Sequence, residues 1–212
     1  ELSDAQVHLT FLKLRAWRPP YRDAANAELM AAEIDSPEDP EVHYWHAIYE
    51  WRNGAPDKAV TLLREALDGI PHDAVEPSPR EARYRLALYN CRFAGIEKSG
   101  PQPSDELLAS LQPDVAELAR VANSATALNN VAWYHVMRRE PEAGMPFAMR
   151  ATQADPTCFS CFDTLAALYA LRGHFAQAVQ AQERAFSLLP ESARMPEIKA
   201  RLDEYRQKAL AP

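Results

Sequence analysis

The chain has 212 residues and a mass of 23.8 kDa, with 47% hydrophobic and 25% charged residues. That is the composition of one globular domain or one continuous array of repeats. With 23 Lys and Arg against 30 Asp and Glu the formal charge is −7, so the basic face that nucleic acid requires is not expected. Mean hydropathy is −0.39, and no apolar run approaches the roughly 20 residues that span a bilayer. Neither a membrane span nor a secretory apolar segment at the start is expected. Only 6 glycines against 17 prolines, with few β-branched runs, point to helices. The start at Glu1 reads as a processed form or a piece of something longer. An odd number of cysteines, 3, implies no closed disulfide framework. It fits the cytoplasm slightly better than an oxidising compartment, and a periplasmic or membrane-anchored processed form stays open.

In chain order, residues 5–38 read as a weak helical pair, with Phe11 and Leu12 in its first helix, Pro19-Pro20 at its turn and Ala31 in its second. Over 40–73, Asp39 reads as the N-cap and Pro40 as the first residue of a helix. Gly54 makes the turn, Pro56 opens a second helix through Ala59, Leu63 and Ala66, and Pro71 ends it. Residues 78–124 form a degenerate pair. Ser78-Pro79-Arg80-Glu81 is a capping box that opens a helix to roughly Phe93. Residues 95–103 have linker composition. Ser104 to Leu111 reads as a short helix, and Gln112-Pro113-Asp114 opens another to about Ala122. Two further pairs cover 125–158 and 159–192, and 195–209 is an amphipathic helix with Ile198, Leu202 and Tyr205 on one stripe.

The last two pairs end at Pro156 and Pro190, 34 residues apart. At that offset Phe162, Leu165, Ala166, Ala178, Ala185 and Pro190 in one fall on Leu128, Val131, Ala132, Gly144, Ala151 and Pro156 in the other, with Tyr169 and Gly173 in the first and Ala148 in the second completing the pattern. This pattern resembles the tetratricopeptide repeat (TPR), and its Ala- and Arg-rich style resembles bacterial examples. Gln182 departs from the family where an aromatic is usual, His135 stands where Tyr is usual, and Arg139 stands where the turn glycine is usual. The resemblance implies an all-α, right-handed superhelical solenoid of antiparallel helix pairs. It is expected as a single domain over 1–212, with residues 195–209 as the capping helix that repeat arrays need. Small residues let two helix backbones approach, and large ones fill the space beside them.

The resemblance also implies that the first helix of each pair lines a concave groove. In that register the lining is Leu9, Lys13 and Trp17, then Tyr44, Ile48, Trp51 and Arg52. Asn129, Trp133, Val136 and Met137 follow, and then Asp163, Ala167, Ala170 and Leu171. Trp and Tyr give large contact area at low entropic cost, and an Asn side chain can both donate to and accept from a peptide backbone. The groove therefore reads as a site for a partner peptide or helix, with packing on adjacent helices as the competing reading. Some TPR domains clamp a terminal carboxylate with several Lys and Arg, but the matching places here hold Leu9, Tyr44, Asn129 and Asp163, and Lys13 and Arg52 alone are too few, so that ligand is not expected.

Other constellations carry less. Cys158-Phe-Ser-Cys161 lies at a helix start, where a thiol is acidified. It lacks the βαβ context of a redox fold and further metal ligands nearby. Two structural thiols are the leading expectation and a disulfide the alternative. His43, His46 and Glu50 share one helix face, which reads as satisfied or surface histidine rather than a metal site. No Gly-rich phosphate loop and no nucleophile elbow occurs. The expectation is a non-enzyme without cofactor or metal, acting as an adaptor or scaffold that grips a protein or peptide. A regulatory or sensor domain of a larger bacterial protein, its groove holding a peptide or an intramolecular segment, is the alternative. The oligomeric state is left open by the sequence.

Overall fold

Side-chain caps and prolines set most of the helix starts. In the computed structural model, residues 21–70, 77–97, 103–189 and 196–210 are described, apart from the side chains of residues 21–23, 25, 26 and 97. Ten α-helices and no strand occur among the described residues. Expectations placed on residues 1–20, including the groove positions Leu9, Lys13 and Trp17, lie outside them. The helices fall into two compact units, Glu1–Pro103 and Ser104–Pro212. The break comes at the end of the stretch of linker composition. It puts the two helices of the pair expected over 78–124 into different units.

The first unit holds α1 (Tyr21–Asp35), α2 (Pro40–Arg52), α3 (Pro56–Asp68) and α4 (Pro79–Glu97). Asp39 caps α2, its carboxylate accepting from the Glu41 N–H at 2.9 Å, and Ser78 caps α4 through the Glu81 N–H at 3.1 Å. Each satisfies a backbone donor that the first helical turn leaves unpaired. Ala47 of α2 and Ala59 of α3 are fully buried, which brings the two backbones together beside Leu63 and Tyr84. Helix α4 runs past Phe93 and through Gly95 to Glu97, longer than expected. A glycine inside a helix costs about 1 kcal/mol relative to alanine. Ile96, 7% exposed, offsets that by the roughly 1.5–3 kcal/mol of a buried aliphatic side chain.

The second unit holds α5 (Asp105–Val121), α6 (Ala125–Met137), α7 (Pro141–Ala154), α8 (Phe159–Leu171), α9 (Phe175–Leu188) and α10 (Pro196–Leu210). Helix α5 corrects the expectation of two short helices, because it is continuous with Pro113 inside it. An interior proline costs about 3 kcal/mol through a lost hydrogen bond and a ring clash. Leu108, Leu111, Val115, Leu118 and Val121 form one buried stripe across it, and five such side chains outweigh that cost several-fold. Ser104 and Ser124 cap α5 and α6 through the N–H groups of Leu107 and Ala127, both at 3.2 Å. Close approach recurs at Gly144 of α7, where an added Cβ would lie 2.9 Å from both His135 Cβ and Leu168 Cδ2. Ile198, Leu202 and Tyr205 of α10 are buried, as the amphipathic stripe predicts.

The tight turns between paired helices share one backbone device. Gly54 (φ +84°), Arg139 (φ +56°) and Gly173 (φ +75°) all take the left-handed conformation. Arg139 does so with a side chain, at the place where the repeat signature has glycine.

Candidate functional site

In the first unit the expected groove residues divide. Tyr44 is 7% exposed and its ring stacks on Tyr84 of α4, centroids 4.7 Å apart. It belongs to the core cluster of this unit, because α4 packs directly over this part of α2. Ile48 and Trp51 are half-buried and lean on the same core, and Arg52 is exposed. The Arg83 guanidinium lies 4.7 Å from the Tyr44 ring centre and 5.4 Å from that of Tyr84.

A neighbouring polar network was not foreseen. Glu41 accepts from Trp45 Nε1 at 3.0 Å, from Arg83 at 2.6 Å on both oxygens, and from the Tyr84 hydroxyl. Burial pushes the Tyr84 hydroxyl pKa up, and its hydrogen bond to Glu41 adds to the shift. Glu41 and Arg83 are 42 residues apart. That separation exceeds the repeat length, so no periodic pattern pairs them.

His46 is 7% exposed. Its ring nitrogens lie 3.3 Å from a Glu33 oxygen of α1 and 3.2 Å from Glu50, which is also held by Lys58 at 2.7 Å. Burial alone would raise the Glu50 pKa. The Lys58 ammonium, with help from His46, outweighs it and holds the carboxyl below its ordinary value.

In the second unit, Asn129, Trp133, Val136 and Met137 follow one another at helical spacing on α6, and all four are half-buried. Asn129 Oδ1 is buried and has no hydrogen-bond partner among the described residues. Val136 packs on the cluster formed by Ala132, Leu165 and Ala166. On α8, Ala167 and Ala170 are half-buried and Leu171 is exposed. Asp163 is occupied from within, because Arg201 of α10 donates to both its oxygens at 2.7 and 2.8 Å. Gln182 of α9, fully buried, donates to Asp163 at 2.7 Å. Its departure from the repeat signature is thus part of a polar network.

A separate cavity of about 300 Å³ lies among α5, α6 and α7. Val115, Ala116, Ala119 and Phe147 form its apolar wall, and His135, Arg138 and Glu140 also line it. Arg138 pairs with Glu140 at 3.4 Å, and His135 Nδ1 lies 3.0 Å from the same carboxylate.

Cys158 and Cys161 are joined by a disulfide, with Cα atoms 5.3 Å apart. This corrects the leading expectation of two unpaired thiols. A helix N-cap and the residue three further on lie within the 4.4–6.8 Å span that a disulfide bridges. Cys91 is free and buried, and burial pushes its thiol up to about 12.

No protein-family model and no curated protein matches the sequence. Solved structures do. TTC0263, a TPR protein of Thermus thermophilus, is 17% identical, with 97% of this chain and 100% of that one covered at a TM-score of 0.60. PilF of Pseudomonas aeruginosa is 14% identical over 99% of this chain and 91% of its own, with a TM-score of 0.66. YrrB, described as a TPR protein with an unusual peptide-binding site, is 13% identical over 86% and 87%, with a TM-score of 0.63. With paired helices, small residues at the crossings and left-handed turns already in place, these likenesses make the chain a tetratricopeptide-repeat-like protein by fold.

Proposed function

We propose that the chain is a protein-interaction module, not an enzyme, that holds a partner peptide or helix against its first helices. The contact surface is Asn129, Trp133, Val136 and Met137 on α6, with Ile48, Trp51 and Arg52 on α2 as the corresponding patch of the first unit. The observation that carries this reading is Asn129. Its Oδ1 is a buried acceptor without a partner, four residues from a half-buried Trp133 on the same helical face. An unsatisfied buried acceptor costs about 1–3 kcal/mol, which a peptide N–H recovers once the Asn129 side chain, half-buried as a whole, turns its oxygen outward. A large aromatic beside it supplies the apolar contact on which interface energies concentrate. That YrrB is described as having a peptide-binding site supports the class of function.

The test uses the immobilised chain and a Trp51→Ala/Trp133→Ala variant whose helicity by circular dichroism matches the wild type. A protein captured from native lysate by the wild type is expected to be lost by the variant. With the purified partner segment, Trp133→Ala alone is expected to weaken binding about 30-fold, a hot-spot loss of about 2 kcal/mol. Equal recovery by both proteins would overturn the reading and move the interaction elsewhere, the α5–α6–α7 cavity being the first place to look.

A further inference from the structure

We propose that Cys158 and Cys161 form a thiol–disulfide exchange site at the start of α8, which takes a dithiol reductant or a disulfide oxidant as its partner. The two sulfurs stand in unequal positions. Cys158 is the N-cap of α8 and is half-buried, whereas Cys161 is fully buried, its Sγ 4.0 Å from the Ala125 carbonyl oxygen of α6. Cys158 is therefore the sulfur that an external thiolate attacks in this proposal, since Cys161 is closed to solvent. Cys158 Sγ also accepts a hydrogen bond from the Cys161 N–H at 3.2 Å, and Ser160 Oγ lies 3.4 Å away. When the bond is open, those groups and the positive end of the helix favour the Cys158 thiolate. One sulfur is thus the less buried and the activated one, and the other is placed to resolve.

The exchange balances. A thiolate of the external dithiol attacks Cys158 Sγ, forming a mixed disulfide while the Cys158–Cys161 bond breaks. Cys161 leaves as a thiolate and takes a proton from solvent. The second thiol of the reductant loses its proton and attacks its own partner's sulfur in the mixed disulfide. That step closes the reductant's disulfide and frees Cys158, so two electrons pass from the dithiol to the protein. In reverse, the Cys158 thiolate attacks an external disulfide and Cys161 resolves the adduct. Cys91 takes no part, because it is buried.

The experiment is brief reduction of the folded full chain with dithiothreitol, alkylation with iodoacetamide and mass spectrometry of the peptides. Label on Cys158 is expected to exceed that on Cys161 by about tenfold, following exposure and thiolate character, with Cys91 unlabelled. Label that appears only in denaturant, or equally on both sulfurs, would overturn the proposal. In a second arm, folded Cys161→Ala treated with oxidised glutathione is expected to carry one glutathione on Cys158, and Cys158→Ala none. Failure of folded Cys161→Ala to form that adduct also overturns the proposal. Should that variant not fold, the wild-type labelling decides alone.

Discussion

The pair α2–α3 in the first unit and the pair α8–α9 in the second fill the same places with opposite chemistry. Tyr44 stands ten residues before Gly54, and Asp163 stands ten before Gly173. Leu63 and Gln182 each stand nine residues after those glycines, and both are fully buried. In the first unit the place is apolar: Tyr44 shares a core cluster with Leu63 and stacks on Tyr84 of α4. In the second it is polar: Asp163 accepts from Gln182 and is clamped by Arg201 of α10. Each member suits its own set and would fail in the other. A buried amide needs a hydrogen-bond partner, and a buried leucine must have none to satisfy. The repeat therefore specifies a geometry at these positions, and residue type follows from what the neighbours supply.

The sharpest way to break that comparison is to change one member at a time. Asp163→Leu removes the acceptor of Arg201 and the nearer acceptor of a fully buried amide, leaving it the Ile198 carbonyl at 3.5 Å. It is expected to cost about 2 kcal/mol in urea unfolding, below the range for a buried ion pair because the Arg201 side chain is 36% exposed and can turn to solvent. Adding Gln182→Leu, which copies Leu63, removes the stranded amide. The double variant should recover about 1–2 kcal/mol of that loss, a coupling that a double-mutant cycle reads directly. Strictly additive losses would mean that the two positions are independent.

The same contrast shows how far the sequence alone could be read. The repeat period, the capping prolines and serines and the α10 stripe were legible because local chemistry writes them. Pro113 misled, since proline is a local stop signal while the buried stripe running across it is a tertiary one. The packing of Tyr44 was hidden for a related reason: the register gives the face of a helix but not what α4 lays over it. The Glu41–Arg83 contact and the Arg201 clamp on Asp163 join residues 42 and 38 positions apart, and neither separation is a multiple of the repeat. Asn129 and Trp133 were legible as neighbours on one face. The orphaned oxygen of Asn129 depends on side-chain surroundings that no periodicity encodes.

The turns allow a smaller test in which backbone alone differs. A Cβ at Gly54 or Gly173 would meet nothing within 4 Å, so Gly54→Ala and Gly173→Ala report only the strain of the left-handed conformation. Each is expected to lower stability by about 1 kcal/mol. Arg139 already bears that strain at φ +56°, so Arg139→Gly should raise stability, by about 0.5 kcal/mol once the extra freedom of glycine in the unfolded chain is counted. Thermal melts of the three variants should therefore move in opposite directions. A loss in Arg139→Gly would show that the arginine side chain contributes more than its backbone strain costs.

The smallest effect expected is an acid sensitivity at one place in the first unit that the matching register of the second does not share. Four residues before the turn glycine stands Glu50 in one and Tyr169 in the other, and four after it stand Lys58 and Gln177. Eight before it, buried His46 replaces Leu165. Only the first unit can hold a carboxylate below its ordinary pKa of 4.5 there, and Lys58 is the main cause. A carboxyl whose folded pKa is depressed contributes stability that is complete above its unfolded pKa. That stability is lost as pH falls through the folded value. Lys58→Met should therefore lower stability near pH 7 and matter progressively less below about pH 4.5, as protonation of Glu50 dissolves the pair. The Lys58 side chain is 55% exposed, so solvent screening holds the neutral-pH difference to about 0.5 kcal/mol. Urea unfolding of both proteins between pH 7 and pH 3 measures it. A difference that stays constant through that range would assign the effect of Lys58 to packing of its aliphatic stem and not to its charge.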